Sequence, residues 1–364
     1  MEMKRTVSII SVFIAILLTV NAGVYVNAQP SAELEVTEIG SFETGGYTAD
    51  VHVQDDVAFV AASEAGLCIL NISDPANPTL LNQYSVDDHV HQIHVDDNLV
   101  YLADYTEGFK ILNVTDPENP VLLGQFNDGG EVGTFRIVGD LAFLSDFEDG
   151  LEIVNISDPA HPTEAFQYDT GISFMFSIEI HNDLAYVSDY VSASEKLVRV
   201  LDISNLTNIE EIANYTIDGE VFSIGFVGDL AYAMCSYGGV KVFNISDPPS
   251  LVQVGSYNDG GHAVDSAFLE GYLIIADGEH GVEVLDIADP AHPTELHSYF
   301  DGGSATNLEV VGDVIFVGDG DDGLEILRLD ILSGVMDLSG YILVLAAAGV
   351  MAVIAFAILR QRKK

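Results

Sequence analysis

The sequence predicts an all-β fold: a seven-bladed β-propeller closed by an N-terminal strand, followed by one C-terminal transmembrane helix. Three observations carry this expectation: a phrase that recurs seven times, four strand-like runs within each recurrence, and a charge-free apolar run near the C-terminus. The phrase at Gly66 (GLCILNISDPANP) returns at Gly108, Gly150, Gly239 and Gly281, in degenerate form as VRVLDISN ending at Asn205, and as GLEILRLD from Gly323. An aromatic residue keeps the same place in every copy, at Phe42, Tyr84, Phe126, Tyr168, Tyr215, Tyr257 and Tyr299, in steps of 42, 42, 42, 47, 42 and 42 residues. Self-similarity at a period of roughly 40–45 residues, with four short strands per unit, is the pattern of propeller blades.

The elements follow in chain order. Met1–Ala28 opens with Lys4 and Arg5, runs through apolar Val7–Val20 and ends in small residues, the order of a secretory signal peptide (residues 1–28). An uncleaved anchor helix is the competing reading. Residues 29–331 hold the repeats. The third repeat shows the unit most clearly: strand a at Thr134–Val138, a Gly139-Asp140 turn, strand b at Leu141–Ser145, strand c at Leu151–Ile156, a Ser157-Asp158-Pro159 turn, and strand d at Thr163–Tyr168. Asp-Pro and Gly-containing steps are turn chemistry, because Pro presets φ and Gly accepts φ > 0. The seventh repeat has strands a, b and c but no d. The missing strand stands at the front, where Val36–Phe42 matches Leu251–Tyr257, so the N-terminal segment is expected to complete the last blade and leave no open seam. A short linker (332–337) leads to Leu338–Leu359, apolar and uncharged, and to the basic tail 360–364. Roughly 20 apolar residues span a bilayer, and a Lys/Arg cluster stays on its cytoplasmic side. A lipid-anchor signal is the rival reading of this tail. The expected topology is therefore a single-pass protein of the cell membrane with an extracellular propeller.

The phrase GLEIVNISDPAHP, with LAFL or LAYV before strand c and Gly-Gly after strand d, resembles the LVIVD-repeat propeller proteins over about Leu34–Asp330. That resemblance implies the propeller fold and a surface or secreted location, and it implies no catalytic residues. The absence of Trp sets the chain apart from WD-repeat proteins, and the fourth repeat departs from pattern with about four extra residues in Tyr190–Leu197.

Composition narrows the partners. The chain has 364 residues, 12 Lys+Arg against 57 Asp+Glu, and a net charge of −45. Six of the basic residues lie in the terminal segments, leaving Lys110, Arg136, Lys196, Arg199, Lys241 and Arg328 for the repeats. This balance excludes nucleic acid as a partner, which needs a basic footprint. A hydrophobic fraction of 48% excludes disorder. Self-repulsion on this scale calls either for salt screening or for bound cations such as Ca²⁺. Two cysteines, Cys68 and Cys235, fall in non-adjacent blades and are expected to be separate buried thiols. The sequons at Asn71, Asn113, Asn155 and Asn244 sit in the strand-c turn and read as structural, whereas Asn205 and Asn214 are the better glycosylation candidates.

Strand order assigns two faces, provided that strand a is innermost. The d–a and b–c loops share one face, X; the a–b and c–d turns share the other, Y, from which the chain leaves towards the membrane. Face X is then membrane-distal. Strand a alternates polar and apolar, as expected where one side meets core and the other a water-filled channel. Asp50, Gln92, Thr134, Ser177, Ser223, Ser266 and Asn307 form the expected polar ring, and together with His91 and Asp265 they are the candidate ligand-binding residues of the channel mouth. A second set, Asp104, Asp146, Asp189, Asp277 and Asp319, ends strand b in five blades; it reads as turn caps or as an acidic collar for metal, Ca²⁺ in the first place. No nucleophile–base pair, GxSxG, HExxH or phosphate-binding glycine loop is present. The sequence therefore points to a non-enzymatic binding or adhesion scaffold that offers face X to a partner protein or glycan. A metal-dependent hydrolase or lyase using Asp50, His91 and Asp265, and a structural envelope component, are the alternatives.

Overall fold

The computed structural model describes residues 33–86, 88–146, 150–168, 175–192 and 195–332. Seven four-stranded antiparallel sheets account for every strand. Each of the first six uses four consecutive strands, over residues 50–84, 90–126, 132–168, 175–216, 223–257 and 265–299. The seventh joins Asn307–Val311, Val314–Gly318 and Leu324–Leu332 to Glu33–Phe42, which lies beside Leu324–Leu332 as the outer strand. First strands of successive blades touch around the ring, and that of blade 7 touches that of blade 1, so strand a is innermost and the ring is closed. A compact unit spans Leu34–Asp330. Among the described residues no helix is long and apolar enough to cross a membrane, and both Met1–Ala28 and Leu338–Leu359 lie outside them.

The core is divided into seven wedges, one at each blade–blade interface. Val51, Ala58, Val60 and Leu70 of blade 1 meet Phe316, Leu324 and Ile326 of blade 7. At the opposite side of blade 7, Leu34 and Val36 of the closing strand join Ile274, Val284 and Ile315 against blade 6. Strand b is buried on both sides because it lies in the middle of each sheet with a neighbouring blade on either face; strand d alternates because only one side meets core.

The repeated phrase has a local physical cause. The residue ending strand c (Asn71, Asn113, Asn155, Asp202, Asn244, Asp286) accepts a hydrogen bond from the amide two positions on, and Asp74, Asp116, Asp158 and Asp289 of Asp-Pro do the same. These side chains form the c–d turn, the structural role expected of the four sequons. The Gly that opens strand c is required by the neighbouring strand. At Gly323 φ is 98°, and a Cβ would stand 2.4 Å from the Phe42 carbonyl oxygen. The same contact recurs between Gly281 and Tyr299 and between Gly66 and Tyr84, so Phe42 occupies the strand-d place of blade 7. In blade 4 the extra residues lengthen the b–c hairpin, with Tyr190 opposite Lys196 and Ser192 opposite Glu195. Cys68 and Cys235 are both free and buried.

Candidate functional site

All seven blades contribute to a cavity of about 430 Å³ at face X, where strand a begins. Asp50, His91, Gln92, Thr134, Ser223, Asp265 and Asn307 line it, so closure of the ring brings seven of the nine expected channel-mouth residues together. The other two are placed differently. Ser177 is buried and donates to the Val221 carbonyl at 3.2 Å. Ser266 does not belong to the polar ring: Asp265 pairs with Ala276 as Asp50 pairs with Ala61, and Ser266 takes the core-facing place of Ile224 and Leu308. A one-residue slip in a strand exchanges its faces, so in blade 6 the ring residue is Asp265, and Ser266 is polar at a core-facing place. Its hydroxyl is buried without a hydrogen-bond partner among the described residues.

The polar ring sews one blade to the next. Asp50 Oδ2 accepts from Ile93 N at 2.8 Å, Gln92 Oε1 from Phe135 N at 2.6 Å, and Asp265 Oδ2 from Leu308 N at 3.2 Å. Asn307 Oδ1 accepts from Val51 N at 3.1 Å, carrying the series across the closure, while Asn307 Nδ2 donates to Asp265. Thr134 donates to Gln92 and Ser223 bonds Asp265. One turn deeper, Arg136 forms a two-point contact with Glu179 of the next blade, and Glu309 accepts from Val53 N. Burial governs the electrostatics: it pushes the Asp50 carboxyl up to about 8 and Glu309 up to about 7, and it lowers His52 to about 4. Hydrogen bonding to fixed amides holds these groups in place, so the ring is a structural floor with an acidic character.

Above the floor stands a feature the sequence did not announce. The residue before the ring is Phe176 in blade 4 and Phe222 in blade 5, and their rings lie 5.5 Å apart. Phe222 continues to His262 at 5.5 Å and His262 to exposed Tyr237 at 4.8 Å; Tyr190 of the lengthened hairpin closes on Phe176 at 5.9 Å. Across the mouth, His91 leans on Tyr105 at 5.2 Å. Position in the repeat was the available signal, but aromatic residues fill it in only some blades, so no periodic pattern marks them. The wall is apolar and aromatic on one side, with amide, hydroxyl and carboxyl groups below.

The strand-b aspartates do not meet as one collar. Each lies in its own blade, and their fates depend on one residue of strand c. Lys110 pairs with Asp104, and Arg199 pairs with Asp189 at 2.6 Å and with Glu211. In blades 3, 6 and 7 the corresponding strand-c residue is an acid, Glu152, Glu283 or Glu325, and a third acid arrives from the d–a loop at Asp128, Asp259 or Asp301. One carboxylate oxygen of each member lies within 4.8 Å of those of the others in its group, with a ring nitrogen of His280 added in blade 6. Burial, reinforced by the neighbouring acids, pushes Asp277 up to about 7, Glu283 to about 8, Asp319 to about 6 and Glu325 to about 8.

Comparisons with known proteins agree with this architecture. The family model described as the LVIVD repeat matches residues 45–86, 88–128, 129–170, 177–217, 260–301 and 302–334. The unmatched stretch between 217 and 260 is blade 5, which the structure nevertheless builds as a four-stranded sheet. No curated protein matches the chain. Among solved structures, the computationally designed Ika8 protein is similar at a TM-score of 0.61 and 12% identity, covering 80% of this chain and 99% of that one. The WD40 β-propeller domain of Doa1 gives 0.63 and 9%, covering 80% and 97%. A chain of the Mitotic Checkpoint Complex gives 0.61 and 10%, covering 85% and 95%. At such identities these likenesses concern the fold alone.

Proposed function

The chain belongs to the LVIVD-repeat family, and from that premise we propose that it is a non-enzymatic binding propeller of the cell surface that takes a glycan terminus into the face-X cavity. The observation that carries this reading is the cavity itself: about 430 Å³, reached by all seven blades, with a continuous aromatic wall over a polar floor. A cavity of this size suits a small-molecule-sized group. Aromatic faces cover the apolar faces of a sugar ring, while Gln92, Thr134, Ser304 and Thr306 offer hydrogen-bonding partners for its hydroxyls. The chain's net charge of −45 disfavours anionic ligands and favours neutral or cationic ones.

Membrane anchoring belongs to the same proposal. It is supported by the apolar run Leu338–Leu359 and the basic tail after it. Strand c of the last blade, Leu324–Leu332, runs from face X to face Y, so the chain leaves the ring on the side opposite the cavity. A tether there keeps the mouth accessible.

The test is oligosaccharide binding by the full chain in detergent, on an array of neutral, amino-sugar and acidic glycans, compared with Phe176→Ala and Phe222→Ala. Both rings are only partly buried, so the variants keep the fold, and circular dichroism verifies this. Loss of an aromatic anchor is expected to weaken binding about tenfold or more. Equal binding by the variants, or binding of acidic glycans alone, overturns the proposal.

A further inference from the structure

Blades 2 and 4 show what a strand-b aspartate needs: a cation supplied by the protein, from Lys110 and Arg199 respectively. Blades 6 and 7 retain the aspartate, carry Glu283 or Glu325 in the strand-c place of the cation, and add a third carboxylate from the d–a loop. Asp259, Asp277 and Glu283 recur as Asp301, Asp319 and Glu325, with the same spacings of 18 and 6 residues, and the trio 128, 146 and 152 repeats them in blade 3. Evolution of a surface for solubility does not require this, because two of each trio are inside: Asp277, Glu283, Asp319 and Glu325 are only 3%, 3%, 4% and 6% exposed. Asp319 Oδ2, Glu325 Oε1, Asp277 Oδ2 and Glu283 Oε2 are buried and accept no hydrogen bond. An unsatisfied buried carboxylate oxygen is expensive, and here each such carboxylate belongs to a group whose members bring one ligand atom each to within 4.8 Å of the others.

The surroundings are built around the same point. The tyrosine ending the outer strand of the preceding blade, Tyr257 or Tyr299, stands in hydrogen-bonding contact with Glu283 or Glu325, and one buried oxygen of each glutamate still lacks a partner. The loop acid belongs to an Asp-Gly-Gly turn in which Asp259 or Asp301 Oδ1 accepts from the amide of Gly261 or Gly303. The second glycine is needed because a Cβ at Gly261 would stand 1.7 Å from Asp277 Oδ2 and one at Gly303 1.9 Å from Asp319 Oδ2. Two oxygens bound to one Ca²⁺ at roughly 2.4 Å each can be no more than about 4.8 Å apart, and each carboxylate of these groups offers one oxygen that meets that limit with the others.

We propose that the carboxylate groups of blades 6 and 7, Asp259–Asp277–Glu283 and Asp301–Asp319–Glu325, are two calcium sites, in which Ca²⁺ does what Lys110 does in blade 2. Blade 7 offers oxygen ligands only, with Asp322 on the adjoining loop. In blade 6 the equivalent loop residue is His280, whose Nδ1 stands 2.5 Å from Asp259 Oδ2. Each ion would tie a d–a loop to strands b and c at the rim that delivers His262 or Ser304 to the cavity, but the proposal does not depend on any glycan binding there.

The test is equilibrium dialysis of the full chain in detergent with ⁴⁵Ca²⁺, at constant ionic strength and with excess Mg²⁺, alongside thermal unfolding. At least two saturable equivalents are expected, with a rise in the unfolding midpoint on adding Ca²⁺. Glu283→Lys and Glu325→Lys install the blade-2 solution: each is expected to remove one equivalent, and the double variant to remove two while remaining folded without Ca²⁺. Asp319→Asn, a milder change, is expected to lower affinity at one site only, so that a failure of the lysine variants to fold leaves the site testable. Absence of saturable binding, a stoichiometry unchanged by folded Glu283→Lys and Glu325→Lys, or an affinity unchanged by Asp319→Asn overturns the proposal.

Discussion

Replacing Lys110 with Met isolates the energetics of a buried charge in this ring. Its side chain is 7% exposed and its partner Asp104 is 0% exposed, so screening by water is slight. Met matches the length of the Lys stem but removes the charge, leaving a carboxylate in a site built for an ion pair. Breaking such a pair by deleting one partner costs about 3–5 kcal/mol, roughly two to three powers of ten or more in the folding equilibrium. The pH dependence follows from the same contact. Burial already raises the Asp104 carboxyl above its ordinary value, and Lys110 opposes that rise. Without Lys110 the folded-state pKa rises further. The folded state then holds a proton that the unfolded chain releases near its unfolded pKa, so stability is lost as pH climbs from that value through the folded one. The loss should therefore be smallest at acid pH and grow as pH rises. Urea unfolding followed by circular dichroism or tyrosine fluorescence measures it, since the chain has 15 Tyr and no Trp. The paired replacement Asp104→Leu with Lys110→Met should recover most of the stability, because an apolar pair carries no desolvation cost. A single-variant loss below about 1 kcal/mol at pH 8, set against the expectation for a buried pair, or a double variant no better than the single, would refute this account.

Two further outcomes follow from the described contacts. Removing residues 33–42 deletes the strand that completes blade 7 and exposes the wedge filled by Leu34 and Val36; at about 1.5–3 kcal/mol for each buried side chain, a loss of roughly 3–6 kcal/mol in urea unfolding is expected, and an unchanged midpoint would count decisively against closure by this strand. Asp50→Asn keeps an acceptor for Ile93 N but removes a carboxyl that burial pushes up to about 8. Because that raised value makes the folded state lose stability from about pH 4 through pH 8, the variant should show a flatter pH profile than the parent over this window, and parallel profiles would contradict the assignment.

Much of the fold was legible because a propeller writes itself into its sequence seven times. The Gly that opens strand c, the aromatic that ends strand d and the Asn-x-Ser/Thr-Asp-Pro turn are each dictated by a local contact, so each recurs at nearly constant spacing. The closing strand could be recognised from Val36–Phe42 for the same reason: it meets Gly323 as Tyr299 meets Gly281. The site was legible only in part. Seven of nine expected residues line the cavity, but Ser266 was placed one position out, since Ser resembles Ser177 and Ser223 more than Asp265 does. Irregular register at the start of strand a in blades 2, 3 and 4 removes the constant offset that would have corrected it. The aromatic wall was missed because Phe176 and Phe222 are neighbours across blades and follow no repeat rule.

Local chemistry thus determined the strands, the turns, the number of blades and the strand that seals them, because those depend on contacts repeated within and between consecutive units. Tertiary structure decided what each polar residue does. Asp50, Gln92, Asp265 and Asn307 become stitches only when the next blade supplies an amide. An aspartate at the end of strand b is neutralised or left facing other acids according to a single side chain across the hairpin, Lys110 in one blade and Glu325 in another. Coulomb energy depends on distance and burial; the hairpin sets the first for Asp104 and Lys110, but their burial needs the packed blades.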